Sequence, residues 1–338
     1  MAYGICSFCG SPLPMKERVK MDMNSEYIII LCGEFADGNT PLTRAEFWKL
    51  YHKYNDSMDE LIAAQEEKIE ELLKRSASIA FGKEKLEQMG VRISTVLDED
   101  FPQALLEKLG DFCPPLLYTV GSRQINQQKM AGYVGSRDIG NEDIAWTEER
   151  VDENLKKGFG IVTGGAQGID SVALLRCLKQ GGSAIVYFPD TMKQRMGDAL
   201  LREAVFDQRL LMYSHVSPLA AKSRHSFVAS AMERNKYIYA QSKATVVVRS
   251  DLNKGGTWSG ATEALKHRWT TVFVWDNKNY PGNQELIRRG AIPLLDDGKM
   301  PEKKAAETVP TEEKKTEEKE FSQMSFEDLM KQGDSSEE

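Results

Sequence analysis

Apolar residues in this 338-residue chain follow two patterns, and the change falls near residue 130. From about Leu42 to Leu86 the positions Leu61, Ile62, Ile69, Leu72 and Leu73 return at a spacing near 3.6, with Glu66, Glu67, Glu70 and Lys74 on the other face. That spacing puts one apolar stripe on a helix and predicts a small α-helical domain. Beyond Met130, short runs rich in β-branched and aromatic residues recur at 131–134, 160–163, 184–188, 210–213, 244–249 and 271–275. Helix-like segments lie between them, near 144–157, 170–180, 195–205, 227–241, 259–266 and 283–289. Strand alternating with helix predicts βαβ units, a parallel sheet and right-handed crossovers. Runs such as Thr245-Val246-Val247-Val248 do not alternate with polar residues, so they are expected to be buried on both faces. The predicted fold is α/β, an extended Rossmann-like parallel sheet from about Met130 to Leu295 with helices on both faces.

Four segments follow from the same reading. Residues 1–25 mix Gly, Pro, Cys and Met without periodicity and are expected to form a mobile leader. Residues 26–118 make the helical N-terminal domain and 119–298 the Rossmann-like domain. Residues 299–338 are Glu, Lys, Thr and Ser with little to bury, which predicts a disordered acidic tail. Inside that tail Phe321, Met324, Phe326, Leu329 and Met330 form one amphipathic island suited to docking on a partner.

Composition narrows the setting. No apolar run approaches the ~20 residues that span a bilayer, and no basic stretch precedes Tyr27–Cys32 as a secretory signal would require. A cytoplasmic protein with no membrane partner is expected. Five cysteines, an odd number scattered along the chain, predict reduced thiols rather than a disulfide framework. Cys6 and Cys9 resemble half of a zinc knuckle, but a structural zinc needs four ligands and no second pair follows at suitable spacing, so no metal is expected. Net charge is −7. From Lys299 onward twelve acidic residues face seven lysines, which leaves only −2 for the rest of the chain. Long-range steering of a polyanion should therefore be weak, and any affinity for one must come from clustered cations.

Three glycine-bearing turns stand between predicted strands and helices, where ligands of open parallel sheets bind. The first is Gly135-Ser136-Arg137, which combines close backbone approach, a hydroxyl and a planar guanidinium that matches two phosphate oxygens. The second runs Gly164-Gly165-Ala166-Gln167-Gly168-Ile169-Asp170, the third Lys254-Gly255-Gly256-Thr257-Trp258-Ser259-Gly260. Small residues at a helix start free backbone N–H groups for an anion. None of these fits a dinucleotide GxGxxG with its acidic partner or the GxxxxGK[ST] of a P-loop, so no cofactor is expected. Arg137, Arg224, Arg234, Lys236 and Lys254 are expected to converge on one crevice mouth. Phe227, Tyr237 and Trp258 are candidate stacking faces for bases, with burial in the helix as the competing reading for Phe227 and Tyr237. Asp170 reads as a helix N-cap rather than an acid or base. Arg234 has an alternative as an ion-pair partner of Glu233 or Glu263. Of the histidines His52, His215, His225 and His267, none neighbours a nucleophile in an elbow, so no catalytic residue is assigned.

Taken in order, Val134-Gly135-Ser136-Arg137, Gly164-Gly165-Ala166-Gln167-Gly168-Ile169-Asp170 and Arg234-Asn235-Lys236-Tyr237-Ile238 resemble the DNA-processing protein A family, also called Smf. Phe101-Pro102, Leu117-Tyr118, Gly256 to Ala264, Gly282-Asn283 with Leu286-Ile287, and Gly290-Ala291 continue the likeness, which covers about Leu86 to Leu295. The resemblance implies a dimeric, extended Rossmann protein that binds single-stranded DNA and helps load a RecA-type recombinase in DNA uptake, repair or defence. It implies phosphate or DNA contacts from Gly135, Ser136, Arg137, Gly164, Gly165, Gln167, Gly168, Arg234, Asn235, Lys236, Lys254, Gly255, Gly256, Thr257 and Trp258. Departures stand beside it: Gln167 and Lys236 occupy positions where the family usually has Arg, the segment 219–231 is longer, and the acidic tail replaces a winged-helix module. A competing resemblance joins Gly255 to Glu263 with the PGGxGTxxE turn of LOG-type nucleotide phosphoribohydrolases, in which Glu263 would be the counterpart of a glycosidic-bond-cleaving carboxylate. A third reading is an adaptor that works through its helical domain and tail.

Overall fold

The computed structural model describes residues 15–35, 37–189, 192–220 and 227–299. The expected acidic tail, the Cys6–Cys9 pair and Arg224 lie outside the described residues. No helix among the described residues is long and apolar enough to cross a membrane.

Five helices open the structure: α1 (Met15–Cys32), α2 (Arg44–Lys53), α3 (Met58–Ala63), α4 (Glu67–Leu73) and α5 (Ser76–Gln88). The expected leader is thus helical from Met15, because the run Ile28–Leu31 is buried and anchors the C-terminal half of α1 in the core. The stripe read as one helical pattern is divided among short helices, since Asn55, Asp56 and Gln65 take positive φ and turn the chain. Its apolar side is nonetheless inward: Leu61 and Ile69 are fully buried with Ile28, Leu31, Phe47 and Ile79. A capping box starts α2, where Thr43 N donates to Glu46 Oε2 (2.8 Å) and Glu46 N to Thr43 Oγ1 (3.3 Å). Buried Arg75 meets Asp37 at 2.8 Å and donates to the carbonyls of Gly33 (3.0 Å) and Ile30 (3.4 Å), satisfying acceptors left over at the end of α1.

The sheet follows in the order β1 (Arg92–Thr95), α6 (Gln103–Leu109), β2 (Leu116–Gly121), β3 (Met130–Val134), α7 (Asn141–Lys156), β4 (Gly160–Thr163), α8 (Ile169–Lys179), β5 (Ala184–Phe188), α9 (Met192–Arg195), α10 (Ala199–Phe206), β6 (Leu210–Ser214), α11 (Phe227–Gln241), β7 (Ala244–Val247), α12 (Gly255–His267), β8 (Thr271–Trp275), α13 (Pro281–Arg288) and β9 (Ile292–Leu294). Strand order is β1-β2-β6-β5-β4-β3-β7-β8-β9. The pairs β1–β2 and β2–β6 are antiparallel and every other pair is parallel. A boundary at 118/119 would cut β2, so residues 92–121 belong to the sheet rather than to the helical part. Every residue of β3, β4, β5 and β6 is buried, as expected where helices cover both faces. The chain leaves β3 toward β4, β5 and β6, then returns to place β7 on the other side of β3, with Ala131 opposite Ala244 and Val134 opposite Val247. This reversal is a topological switch point, and the two connections leaving β3 and β7 diverge there.

Candidate functional site

A cavity of about 510 Å³ opens at the switch point between β3 and β7. Its first wall is the turn after β3. Ser136 N donates to Arg249 O (2.9 Å), Ile169 N donates to Ser136 O (3.3 Å), and the Ser136 hydroxyl accepts from Asp138 N (3.1 Å). The turn is therefore fixed from both sides, and one lone pair of the hydroxyl is used within it. Gly168, with φ +85°, lies beneath: a Cβ there would overlap the Ser136 carbonyl oxygen and Arg137 Cα. Arg137 itself is exposed, lines the cavity and makes no ion pair among the described residues.

The second wall follows β7. Fully buried Asn283 donates to Val248 O (2.8 Å) and Trp275 O (2.9 Å) and accepts from Ser250 N (2.8 Å), which staples the ends of β7 and β8 together. Arg249 reaches Asp138 and Asp143, each at 3.4 Å, and buried Asp143 also accepts from Gly140 N (2.8 Å) and Tyr280 Oη (2.6 Å). Lys254 precedes α12, exposed and unpaired among the described residues. Gly255, Gly256 and Thr257 form the first turn of α12, so the third predicted turn is a helix start rather than a loop. No side chain caps it, which leaves its first N–H groups and its positive dipole end facing the cavity.

The third wall is one face of α11. Phe227, Val228, Ala231, Met232, Asn235 and Tyr239 line the cavity at helical spacing. Phe227 is 44% exposed and Val228 58%. Asn235 Nδ2 donates to Gly256 O (3.1 Å), tying α11 to α12. Arg234 is buried and its Nη1 donates to the carbonyls of Gly164 and Tyr187. Asp170, the second residue of α8, accepts from Gly164 N (3.1 Å). It is thus a brace on the glycine turn and not the N-cap, which is Gly168. Burial pushes the Arg234 pKa down; the charge of Asp170 opposes that and the charge of Arg137 adds to it. Burial likewise pushes Asp170 up.

Of the predicted site residues, the structure gathers Gly135, Ser136, Arg137, Arg234, Asn235, Lys254, Gly255, Gly256 and Thr257 around the cavity. Gly164, Gly165, Gln167 and Gly168 do not line it; of the segment Gly164 to Asp170 only Ala166 and Asp170 do. Lys236 is turned away by helix phase: it pairs with Glu263 at 2.9 Å and lies 4.6 Å from the Phe112 ring centroid. Trp258 is 9% exposed, with the Arg289 guanidinium 5.0 Å above its ring, so it offers no free face to a base. Tyr237 is buried, whereas Phe227 is open, which divides the two candidate stacking residues of α11. Glu233 pairs with Arg44 (3.1 Å), so neither Glu233 nor Glu263 is the partner of Arg234. Asp138, Asp251, Met232 and Tyr239 also line the cavity and were not among the predicted residues. The only available signal for Met232 and Tyr239 was their helical spacing from Val228, four and eleven residues on.

The model of the family described as DNA recombination-mediator protein A matches residues 92–303, which include every strand among the described residues and all three walls of the crevice. The chain belongs to this family. It is 27% identical to Protein Smf of Synechocystis sp. over 245 residues, a match that covers 64% of this chain and 58% of that protein's length. The DNA processing protein A structure from Streptococcus pneumoniae shares the fold, with a TM-score of 0.61, 19% identity, and coverage of 80% of this chain and 94% of that one. The Helicobacter pylori DNA processing protein A, whose structure describes a single-stranded DNA binding mode of that protein, is 25% identical with a TM-score of 0.50, covering 60% of this family member and 90% of its own chain.

Proposed function

We propose that this protein binds single-stranded DNA at the switch-point crevice and acts, as a homodimer, to load a RecA-type recombinase on the strand in DNA uptake, repair or defence. Backbone phosphates lie at the mouth, on Arg137, Lys254 and the Gly255–Gly256 end of α12. One observation carries this reading: Arg137 and Lys254 come from the connections after two different strands and stand exposed, without an ion-pair partner among the described residues, on either side of one cavity. Unpaired cations beside an uncapped helix N-terminus suit a phosphate. The open apolar face of α11 at Phe227 and Val228 suits the bases between phosphates. Membership of a recombination-mediator family and the likeness to the Helicobacter pylori protein support the same substrate. The alternative, cleavage of a nucleotide glycosidic bond, gains nothing from the geometry, because Glu263 is engaged by Lys236 and does not line the cavity.

Fluorescence anisotropy with single-stranded and duplex oligonucleotides at two salt concentrations tests the reading. Arg137→Ala is expected to weaken single-strand binding by about 1.5–3 kcal/mol and to flatten the plot of log affinity against log salt by about 0.7. Its Tm should match the parent, since the exposed Arg137 side chain makes no ion pair among the described residues. Equal binding by parent and variant, or release of free base from AMP, would count against DNA as the ligand.

A further inference from the structure

We infer that the end of the sheet opposite the crevice is a second nucleic-acid surface, one that holds the phosphate backbone of duplex DNA. The crevice opens where the parallel strands end, and this surface lies where they begin. Lys129 directly precedes β3 and Lys243 directly precedes β7. Lys156 and Lys157 close α7 ahead of β4, Lys179 closes α8 ahead of β5, and Arg268 closes α12 ahead of β8. Backbone bonds hold these starts side by side: Gly160 N donates to Lys129 O (2.9 Å), Lys243 N to Met130 O (2.9 Å) and Ile161 N to Ser183 O (3.0 Å). Thr270 Oγ1 and Lys108 Nζ both donate to Ser242 O, at 3.1 and 3.0 Å, which draws the start of β8 and the helix α6 to the same end. All six cations are exposed, and none has an ion-pair partner among the described residues. The chain conceals the collection, because its net charge is −7 and the six positions are spread between residues 129 and 268.

Two carboxylates at that end are already held, Asp207 by Arg209 (2.8 Å) and Glu153 by Arg150 (3.1 Å), while Glu107 stands exposed beside Lys108. Cations at helix C-termini offset the helix dipole. Lys129 serves no such end, and half-buried Lys108 is crowded by its like: burial first, and then the charge of Lys243, pushes its pKa down. Like charges gathered in this way suit a polyanion, and for a member of a DNA recombination-mediator family that polyanion is DNA. From β5 to β8 the strip crosses four strand spacings, about 19 Å. Duplex DNA presents about eleven phosphates over that length. A single strand held without regard to sequence also needs rings on which its bases stack. From Lys179 to Lys243 the strip offers no exposed ring among the described residues; Phe206 and His267 stand only at its flanks, ahead of β6 and β8. In a duplex the bases are already stacked, so lysine charges on phosphates suffice.

Anisotropy of the full chain with a labelled blunt duplex tests this, with labelled oligothymidylate alongside. The triple variant Lys129→Gln, Lys157→Gln, Lys243→Gln is expected to bind duplex about tenfold more weakly, with its plot of log affinity against log salt flattened by about 0.9 for each phosphate lost. Its affinity for oligothymidylate should not change. The variant Lys129→Arg, Lys157→Arg, Lys243→Arg keeps the charge and should keep duplex binding, which separates charge from any effect on folding. Arg137→Ala should do the reverse of the Gln variant, and saturating oligothymidylate should leave the duplex bound. Duplex displaced by oligothymidylate and lost in Arg137→Ala would sit in the crevice, which overturns the inference, as does duplex affinity unchanged in the Gln variant. Failure of the parent to bind duplex overturns it too, and polyglutamate bound by the parent and lost in the Gln variant would then give the surface to an acidic protein. If oligothymidylate binds nowhere while the duplex results hold, the crevice reading falls and this one stands.

Discussion

Two glycine-bearing turns follow adjacent strands of the same sheet, and they serve different ends. The turn after β3 presents Arg137 to the cavity, exposed and without an ion-pair partner among the described residues. The segment after β4 sends Ala166 and Asp170 there but none of its glycines, which make room for protein: a Cβ on Gly164 would overlap the Arg234 guanidinium, and one on Gly168 the Ser136 carbonyl. A glycine in a strand-to-helix turn reports that something approaches the backbone closely. It does not say whether that something is a ligand or another part of the chain.

The sharpest way to break this distinction is Gly168→Ala. The φ of +85° strains any side chain, and the overlapping atoms are backbone that cannot swing aside. A stability loss of about 3 kcal/mol is expected, seen as a Tm lowered by roughly 5–10 °C. A variant that keeps its Tm and loses only DNA affinity would place the second turn at the ligand after all.

A smaller effect is expected from Asp170→Asn, read through pH. Burial holds the Asp170 pKa above its ordinary 3.8, so the folded state keeps that proton more tightly than the unfolded chain. The associated stability is full below 3.8 and is lost as pH rises through the folded value. Urea unfolding of the parent should therefore show a decline in stability over that interval that the Asn variant lacks. Superimposable pH profiles would mean that Asp170 is not the buried brace described above.

The smallest effect belongs to Lys236→Ala. Its partly exposed pair with Glu263 contributes about 0–1 kcal/mol, and oligonucleotide affinity and salt slope should match the parent. A loss as large as that of Arg137→Ala would return Lys236 to the phosphates and erase the contrast between residues that face the crevice and residues that face away.

Strands β3 to β8 were legible because each is a short, mostly apolar and β-branched or aromatic run bounded by polar turns, and α11 was legible at both ends. The first two strands and the last were not. Arg92–Thr95 has a single apolar residue among its four, Ile292–Leu294 is only three residues long, and Leu116–Gly121 sits directly after Pro114-Pro115 beside a helical stretch. The site shows the same limit. Arg137 announces itself by following a strand and a glycine, whereas Tyr239 looks like any buried aromatic on a helix until the fold places a cavity beside it. Lys236 and Trp258 were misplaced because charge and ring type say nothing about helix phase; one step along α11 separates Asn235 at the cavity from Lys236 against Phe112.

The strand order also governs assembly as the chain is made. The strands β3, β4, β5 and β6 can pair as soon as residue 214 has emerged, and β2 can then close on β6. The other side of β3 must wait for β7, which begins at Ala244. Until then the five apolar residues Met130–Val134 present a bare row of backbone donors and acceptors, the kind of edge that recruits other strands. A chain interrupted before Ala244 thus exposes, at the centre of the finished sheet, its most adhesive edge, and the crevice comes into being only when that edge is covered.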